Sequence, residues 1–308
     1  MPPRVLVTGA NGFSGRRLAA TLRAAGDHPV IGSDLAEEPH ELAGEYLACD
    51  LTDPLAAERL VAFAQPDLVY HLAGVNNFAP AEVIGRVNVG GFSNLCRALR
   101  QSGRPIRMLT IGSAAELGRR GVARLPVTED APCQPESPYG ESKARITQLA
   151  LAEPDDSSLG IVVVRPFNLI GPGMDPRLVL ANFALQLGRI ARRQAETLRC
   201  GNLDSRRDFV DVRDAVAAYV VLMRHGRLRQ IYNVCAGKSH RIGDLLDTLM
   251  ALAGVHPRIE VDALRARASD ISDIYGDRSK IARDTGWAPE FSIGESLEAL
   301  WAWARTQT

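Results

Sequence analysis

A glycine-rich turn near the amino terminus constrains the fold of this chain more than any other feature. Residues 4–8 form a short, valine-rich run, residues 9–15 contain three glycines, and residues 16–25 have helical periodicity. Glycines in such a turn let the chain bend sharply, let its backbone approach a pyrophosphate and let the helix pack on the strand. The helix amino terminus then faces the negative charge. The order of strand, glycine turn and helix therefore predicts a dinucleotide-binding site.

Strands and helices alternate through the first half of the chain. Further apolar runs predict strands at residues 28–33, 45–48, 67–73, 106–111 and 159–165, and the segments between them include a long amphipathic helix at residues 81–100. Repeated units of this length predict an α/β fold with a doubly wound parallel Rossmann sheet. Its ligand crevice is expected at the carboxyl ends of the strands.

The second predicted strand ends at Asp34, about 20 residues beyond the last glycine of the turn. A carboxylate there accepts a hydrogen bond from an adenosine ribose hydroxyl and repels a 2'-phosphate. We therefore predict NAD as the cofactor, with NADP as the alternative. An ordinary loop acid is the other interpretation of Asp34.

The pattern changes near residue 167 to a turn-rich loop, followed by helices with short strands between them. Helical periodicity is present at residues 179–193, 212–224, 242–253 and 294–303. We predict a dinucleotide-binding domain over residues 1–166 and a smaller, mainly substrate-binding α/β region over residues 167–308. Some of the later chain is expected to cross back to the first domain.

Composition narrows the classes of partner. The 308 residues include 36 basic and 36 acidic side chains, which gives no reason to expect nucleic acid or an anionic membrane. No apolar run approaches the ~20 residues of a membrane helix, and the first strand leaves no room for a signal peptide, so we expect a cytoplasmic protein. The five cysteines and six histidines lack metal-ligand spacing. We predict no metal site, and a hydrogen-bonded structural role for His71.

Tyr139 and Lys143 lie four positions apart in Ser-Pro-Tyr-Gly-Glu-Ser-Lys, at the start of a predicted helix over residues 137–151. That spacing places the phenol and the ammonium on one helix face. A fixed cation favours the phenolate, so we expect Lys143 to lower the pKa of Tyr139. Such pairs are common on solvent-exposed helices, but beside a dinucleotide site this one predicts proton transfer coupled to redox chemistry.

These motifs occur together in the order and spacing of a known family. The glycine loop, Ser113 after the strand at 106–111, the Tyr-Gly-Glu-Ser-Lys segment and Arg-Pro-Phe-Asn-Leu-Ile-Gly-Pro-Gly at 165–173 resemble the extended short-chain dehydrogenase/reductases that act on nucleotide sugars. The resemblance covers the full chain. Segments of the carboxyl half, at 165–173, 201–214, 232–237 and 285–289, are most similar to the GDP-6-deoxy-4-keto-mannose reductases, which form GDP-rhamnose.

The resemblance implies roles for the matching residues. Ser113 and Tyr139 would hydrogen-bond the substrate oxygen at C4, with Tyr139 as general acid, while Lys143 would hold the nicotinamide ribose. Further cofactor contacts are implied at the pyrophosphate by Gly9, Asn11, Gly12, Phe13 and Gly15, at the adenine by Asp50 and Leu51, and at the ribose and nicotinamide by Ala73 and Gly74. Substrate contacts are implied at Asn168, Arg207 and Arg267, with the arginines on the diphosphate. A homodimer is typical of the family.

Some of these residues have a second interpretation. Asn168 could instead close the loop that it begins, and Arg207 could belong to a solvated charge cluster with its neighbours. Asn88 either hydrogen-bonds near the Lys143 backbone or has a structural role.

Three departures from the family pattern carry information. Family dehydratases place two acids, or a hydroxyl and an acid, directly after the catalytic hydroxyl, where this chain has Ala114 and Ala115. Glu116 comes one place too late, so dehydration is not expected. Leu117 stands where the family usually has tyrosine, which bears on the sugar pocket. Asp34 is the third, because many such reductases prefer NADP(H).

Three hypotheses follow. The leading one is an NAD(P)-dependent 4-ketoreductase of a nucleotide-linked 6-deoxyhexose, with GDP as the nucleotide. The second is an NAD-dependent nucleotide-sugar 4-epimerase that uses the same three residues. The third is a cofactor-sensing protein that has kept the fold without the chemistry.

Overall fold

A six-stranded parallel sheet forms the centre of the structure, a computed structural model that describes residues 2–26, 28–38, 44–262 and 271–307. The strands are β1 (Val5–Thr8), β2 (Val30–Ser33), β3 (Leu68–His71), β4 (Ile106–Ile111), β5 (Leu159–Pro166) and β9 (Ile231–Val234), in the order β2-β1-β3-β4-β5-β9. The chain leaves β1 for β2 on one side and returns to β3 on the other. The predicted doubly wound fold is confirmed, and its switch point lies between β1 and β3.

Helices cover both faces of this sheet. Apolar side chains of α1 (Phe13–Ala25) and α8 (Val212–His225) form one core with the sheet, and those of α2 (Pro54–Ala64), α4 (Gly91–Gln101) and α6 (Pro138–Leu151) form a second core on the other face. Because both faces are buried, the strands are apolar almost throughout, as parallel strands require.

The strand predicted at residues 45–48 does not form. This segment makes only a single bridge, between Gly32 and Tyr46, and then turns so that the Cys49 N–H donates to the Asp34 carbonyl. The chain that follows, residues 49–52, lines the crevice. The sixth strand is β9, whose residues pair with β5 from Val163 onward.

The long helix predicted at residues 81–100 is interrupted. It consists of α3 (Ala81–Ile84), a π-helical turn over Gly85–Gly90, and α4. Wide turns of this kind are frequent at functional sites. Here the turn contains Asn88, a buried amide with 1% exposure.

Two smaller sheets and a group of helices form the remainder. β8 (Arg206–Asp211) pairs with β6 (Asn168–Ile170), β10 (Ser239–Arg241) and β12 (Asp273–Ile274), while β7 (Thr197–Cys200) pairs with β11 (Arg258–Val261). The helices α7 (Val179–Ala191), α9 (Ile242–Ala253) and α11 (Ile293–Ala304) enclose a third core, and α5 (Gly118–Gly121) and α10 (Ser279–Thr285) are short. Asn168, expected in a loop, begins β6.

The division at residue 166 stays a prediction, and α8 and β9 pack on the first sheet although they follow that boundary. Within the described ranges, no helix is long and apolar enough to cross a membrane.

Candidate active site

A cavity of about 500 Å³ opens at the carboxyl ends of β1, β2 and β3. Most of the residues predicted to bind the cofactor line it, namely Gly9, Asn11, Gly12, Asp34, Asp50, Leu51, Ala73 and Gly74. Others on its wall were not predicted, including Thr8, Ser33, Val75, Val83, Arg86 and Val87. These lie on the strand ends and on the helix after β3, where no motif distinguishes them from core residues.

The glycine turn has the geometry that a dinucleotide requires. Gly9 has φ +71°, and a Cβ added there would lie 2.6 Å from the Ala73 nitrogen. A Cβ at Gly15 would lie 1.9 Å from the Gly9 carbonyl oxygen. Only glycine therefore permits this close packing of turn, strand and helix. The cavity and its bare backbone fit a dinucleotide.

The Asp34 carboxylate is fixed at this cavity by two backbone groups. The Asn11 N–H donates to its Oδ2 at 2.9 Å, and the Leu35 N–H donates to its Oδ1 at 2.7 Å. The acid thus lies beside the glycine turn, where it can accept a hydrogen bond from a ribose hydroxyl.

Phe13 and Gly15 do not line the cavity. Gly15 acts through the packing just described. The Phe13 ring packs against the third core, 3.7 Å from where a Gly171 Cβ would lie. The Phe13 ring therefore lies away from the wall of this cavity, and the expected cofactor contact of Phe13 stays a prediction.

Ser113 and Tyr139 are brought together by two capped turns. Ser113 follows β4 and caps a 3-10 turn over Ala114–Glu116, where its Oγ accepts from the Ala115 N–H at 3.1 Å. Ser137 caps α6, which places Tyr139 in the first turn. A Cβ at Gly140 would lie 2.4 Å from the Ala115 carbonyl oxygen, so α6 packs directly on the 3-10 turn. A side-chain hydrogen bond then links Ser113 and Tyr139.

Lys143 lies one turn further along α6 and is 7% exposed. Its Nζ donates to the Ile111 carbonyl oxygen at 2.9 Å and lies 5.9 Å from the centre of the Tyr139 ring. A Cβ at Gly74 would lie 3.8 Å from the same nitrogen. The ammonium thus lies between the phenol and the Gly74 wall of the cofactor cavity.

The pKa of Tyr139 is raised, contrary to the expectation from spacing. Burial of the phenol raises it most; the Ser113 hydrogen bond opposes this, and the Glu116 carboxylate adds to it. Burial lowers the pKa of Lys143 to about 8, against the favourable charge of Glu116. Tyr139 therefore stays protonated near neutral pH, which is the form that can donate a proton.

Asn88 connects the cofactor cavity with the start of α6. Its Oδ1 accepts from the Val75 N–H at 2.8 Å, and its Nδ2 donates to the Val75 carbonyl at 3.1 Å and to Ser142 Oγ at 3.0 Å. Ser142 in turn donates to the Tyr139 carbonyl at 2.8 Å. Asn88 therefore contacts Ser142 instead of the Lys143 backbone, and it holds the loop after β3 against the helix that bears Tyr139.

His71 has the hydrogen-bonded role predicted for it. Its Nδ1 lies 2.8 Å from Thr8 Oγ1, and the side chain is 3% exposed. Burial, with the Lys143 charge adding to it, lowers the pKa of His71 to about 3. The imidazole is therefore neutral at physiological pH. In the described part of the chain, no group of three His, Cys, Asp or Glu side chains could hold a metal ion.

A second cavity, of about 560 Å³, lies among β6, β7, β8 and α7. Asn168 and Arg207 both line it. The Asn168 Nδ2 donates to the Asp208 carbonyl at 2.9 Å, and the Arg207 Nη1 donates to the Ile271 carbonyl at 2.6 Å. Arg267 lies outside the described residues. Polar residues on this wall that were not predicted include Arg177, Asn182, Arg199 and Asn202.

A polar bridge joins the loop after β3 to this second cavity. Asn76 Nδ2 donates to Asp175 Oδ2 at 2.9 Å, and Arg177 forms a forked ion pair with Asp175 at 2.9 and 2.7 Å. The Arg177 guanidinium also lies 4.2 Å from the centre of the Phe78 ring. Hydrogen bonds from Arg177 are the largest cause that lowers the Asp175 pKa to about 2. The bridge fixes the position of Arg177 on the cavity wall.

The departures from the family pattern have structural consequences. Glu116 is fully buried and pairs with Arg165 at 3.0 Å, so it does not face a substrate. Leu117 is also fully buried and packs with Val127, Phe167 and Cys235. The missing tyrosine therefore changes the core behind the site, and Leu117 does not line either cavity.

Comparison with known proteins agrees with this geometry. The NAD dependent epimerase/dehydratase family matches residues 5–235. This chain belongs to that family. It is 35% identical to a GDP-6-deoxy-D-mannose reductase of Pseudomonas aeruginosa over 97% of this chain and 96% of the relative. It is 26% identical to a GDP-6-deoxy-D-talose 4-dehydrogenase of Aggregatibacter actinomycetemcomitans, over 97% of both chains.

A solved structure of RMD from P. aeruginosa, complexed with NADPH, superimposes with a TM-score of 0.87. It is 32% identical and covers 99% of this chain and 100% of its own. As a member of this family, the chain is an enzyme that uses a nicotinamide dinucleotide, NAD or NADP.

Proposed function

We propose that this enzyme is a 4-ketoreductase of a 6-deoxyhexose linked to GDP. The observation that carries the proposal is the placement of Ser113, Tyr139 and Lys143 beside the cofactor cavity, with no exposed acid on the adjoining 3-10 turn. The similarity of the whole chain to a GDP-6-deoxy-D-mannose reductase supports the choice of sugar and nucleotide.

The chain's own groups supply the proton side of the reaction. When bound, the reduced nicotinamide supplies a hydride to C4 of the sugar. Tyr139 donates its phenolic proton to the C4 oxygen, so that the ketone becomes a hydroxyl and a phenolate remains. The Lys143 ammonium stabilises that phenolate through its charge.

Ser113 orients the oxygen that is protonated. Its Oγ accepts from the Ala115 N–H and hydrogen-bonds with Tyr139, and we propose that its own proton is donated to the C4 oxygen when the substrate is bound. A fixed donor at the developing alkoxide lowers the barrier by a few kcal/mol, about 2.7–4 kcal/mol for one such donor in other enzymes.

The substrate's diphosphate is assigned to the second cavity. Arg207 and Arg177 bring two guanidinium groups to its wall, and Asn168 adds an amide. A planar fork of donors suits phosphate oxygens. Arg267 remains a candidate for the same diphosphate from the sequence alone.

We also propose NAD as the preferred cofactor, because the fixed Asp34 carboxylate lies at the cavity where a 2'-phosphate would be placed. A homodimer through the helices at 81–101 and α6 belongs to the same proposal. A mass equal to the monomer at all concentrations in light scattering would contradict the dimer.

Purified enzyme should oxidise NADH when given GDP-4-keto-6-deoxymannose, with one GDP-6-deoxyhexose formed for each NADH consumed. Tyr139→Phe is the matched control and should abolish most of this turnover. The UDP- and dTDP-linked ketosugars, tested in parallel, identify the nucleotide. Interconversion of nucleotide hexoses without net NADH oxidation would instead establish a 4-epimerase.

A further inference from the structure

A fully buried ion pair lies directly behind the proposed reaction centre. Glu116 and Arg165 are both 0% exposed, and Glu116 Oε2 accepts from Arg165 Nε at 3.3 Å and Nη2 at 3.0 Å. Taking two charges out of water is costly and contributes little to stability compared with apolar packing. A buried pair at this place therefore calls for another explanation than stability.

The second carboxylate oxygen of Glu116 holds the site itself. Its Oε1 accepts from the Ser113 N–H at 2.7 Å and from Thr147 Oγ1 at 3.0 Å. A Cβ at Gly112 would lie 2.3 Å from the same oxygen, so the carboxylate lies against the backbone that leads into Ser113. Thr147 is on α6, one turn beyond Lys143.

Arg165 fixes the other side of the carboxylate. It stands near the end of β5, next to β4, and its Nη1 also donates to the Glu129 carbonyl at 3.3 Å. One carboxylate therefore ties together the end of β4, the end of β5 and the helix that bears Tyr139 and Lys143. Several hydrogen bonds and an ion pair therefore fix the position of the Glu116 carboxylate.

We infer that Glu116, held by Arg165, is a positioning residue that sets Ser113 and Tyr139 in register and keeps the charge of Lys143 in place. It does not touch the substrate, and it acts through the Ser113 backbone and through α6. This inference rests on the proposed function, because it assigns Ser113 and Tyr139 to the reduction.

The electrostatic part of this role has a defined sign. The Glu116 carboxylate raises the pKa of both Lys143 and Tyr139. Within the described residues, the titratable groups near Lys143 and Tyr139 include His71, which is neutral above about pH 3, and the buried Tyr219. The Cys133 thiol contacts Glu116 and Arg165, and burial raises its pKa. Removing the Glu116 charge should therefore move the alkaline limb of the pH–rate profile to lower pH.

Two substitutions separate position from charge. Glu116→Gln keeps the shape and removes the charge, and it should lower kcat on the order of 10- to 100-fold, with unchanged KM values and the alkaline limb at lower pH. Glu116→Asp keeps the charge, but its side chain is one methylene shorter, so the carboxylate no longer reaches the same partners. It should lower kcat while the alkaline limb stays where it is in the wild type.

Glu153→Gln is the matched control. Glu153 is 6% exposed and pairs with Arg100 at 2.9 Å beyond the far end of α6. Its loss should lower the unfolding temperature without a change in kcat or pH profile. If Glu116→Gln behaves like Glu153→Gln, Glu116 is only a structural residue and the inference is overturned.

A measurement without turnover keeps the inference separate from the proposed function. The phenol of Tyr139 is titrated by ultraviolet absorbance, with Tyr139→Phe in the same background subtracted. A titration at lower pH in Glu116→Gln supports the inference even if the wild type reduces no ketosugar, and an unshifted titration overturns it. If Glu116→Gln does not fold, Thr147→Val removes one hydrogen bond to the same carboxylate and should reduce kcat with unchanged KM; wild-type kcat in that variant overturns the inference.

Discussion

The two cavities of this enzyme are built in different ways. The cofactor cavity lies at the ends of three neighbouring parallel strands, beside a glycine turn whose close packing depends on Gly9 and Gly15. The second cavity, which we propose for the substrate, has long polar side chains such as Arg177 and Arg207 on its wall, from elements far apart in the chain. The first therefore depends on the absence of side chains at its glycine turn, and the second on the presence of charged side chains.

This difference corresponds to two kinds of recognition, of a common cofactor and of a particular sugar nucleotide. A dinucleotide is recognised through its pyrophosphate by any strand, glycine turn and helix of this geometry. A sugar nucleotide is recognised by groups that individual side chains supply. Substitutions should consequently affect the two cavities independently.

The largest effect is expected at the reaction centre itself. Tyr139→Phe removes the proton donor and leaves the ring, so kcat should fall about 10²- to 10⁴-fold. Both KM values should stay near those of the wild type, because neither cavity loses a contact. Steady-state kinetics with each substrate varied in turn checks this. A large rise in either KM would show that Tyr139 contributes to binding at one of the cavities, and it would contradict a separate reaction centre.

Gly15→Ala should damage the cofactor cavity alone. The new Cβ would meet the Gly9 carbonyl oxygen at 1.9 Å, and backbone there cannot move aside. NADH binding should weaken roughly 100-fold, equivalent to about 3 kcal/mol of overpacking, and the unfolding temperature should fall. Gly12→Ala is the control, because its Cβ would lie 3.1 Å from the same oxygen. It should weaken NADH binding with little loss of stability.

Arg207→Met should damage the substrate cavity alone. Loss of a charged donor to the diphosphate should raise the KM for the sugar nucleotide about 10- to 100-fold and leave NADH binding unchanged. Arg206→Met is the control, since Arg206 neighbours Arg207 but interacts with Ser239 and Asp273 outside the cavity wall. Equal effects of the two variants would show that Arg207 acts only through local structure.

The cofactor cavity was the more predictable of the two from sequence. Its strands, its glycine turn and Asp34 follow one another along the chain, so local periodicity was sufficient to predict them. The errors arose where neighbours far away in the chain decided the outcome. Residues 45–48 make only a single bridge beside β2, and the sixth strand, β9, instead pairs with β5 at the opposite edge of the sheet. The π-turn that places Asn88 inward leaves no periodic signal in a helix.

Residues of the second cavity were predicted only where a family motif identified them. Asn168 and Arg207 were found in this way, whereas Arg177 depends on Asp175 and on a loop almost 100 residues away, at Asn76. Glu116 and Arg165 are likewise 49 residues apart. Spacing placed Tyr139 and Lys143 on one face but did not indicate that Ile111 holds the ammonium and that burial dominates both groups.

The two cavities should also differ in their response to pH. Burial lowers the pKa of Lys143 to about 8, so its ammonium is present below that pH and is lost as the pH rises through it. The kcat/KM for ketosugar reduction should consequently fall about tenfold for each pH unit above 8. Binding of GDP to the substrate cavity should stay constant over the same range, because guanidinium groups remain protonated. Calorimetric titration of GDP at pH 7 and 9 provides the comparison.

Asp34→Ser tests the carboxylate on the wall of the cofactor cavity that we propose for cofactor selectivity. Removing the carboxylate removes its repulsion of a 2'-phosphate, which is about 1 kcal/mol for two unit charges about 4 Å apart in water. The ratio of NADPH to NADH affinity should rise about fivefold, measured by fluorescence titration. Glu37→Ser removes an exposed acid three residues further on and outside the cavity wall, so it should leave the ratio unchanged. If both variants shift the ratio equally, cofactor selectivity comes from the summed negative charge at this edge of the sheet. Asp34 then makes no specific contribution.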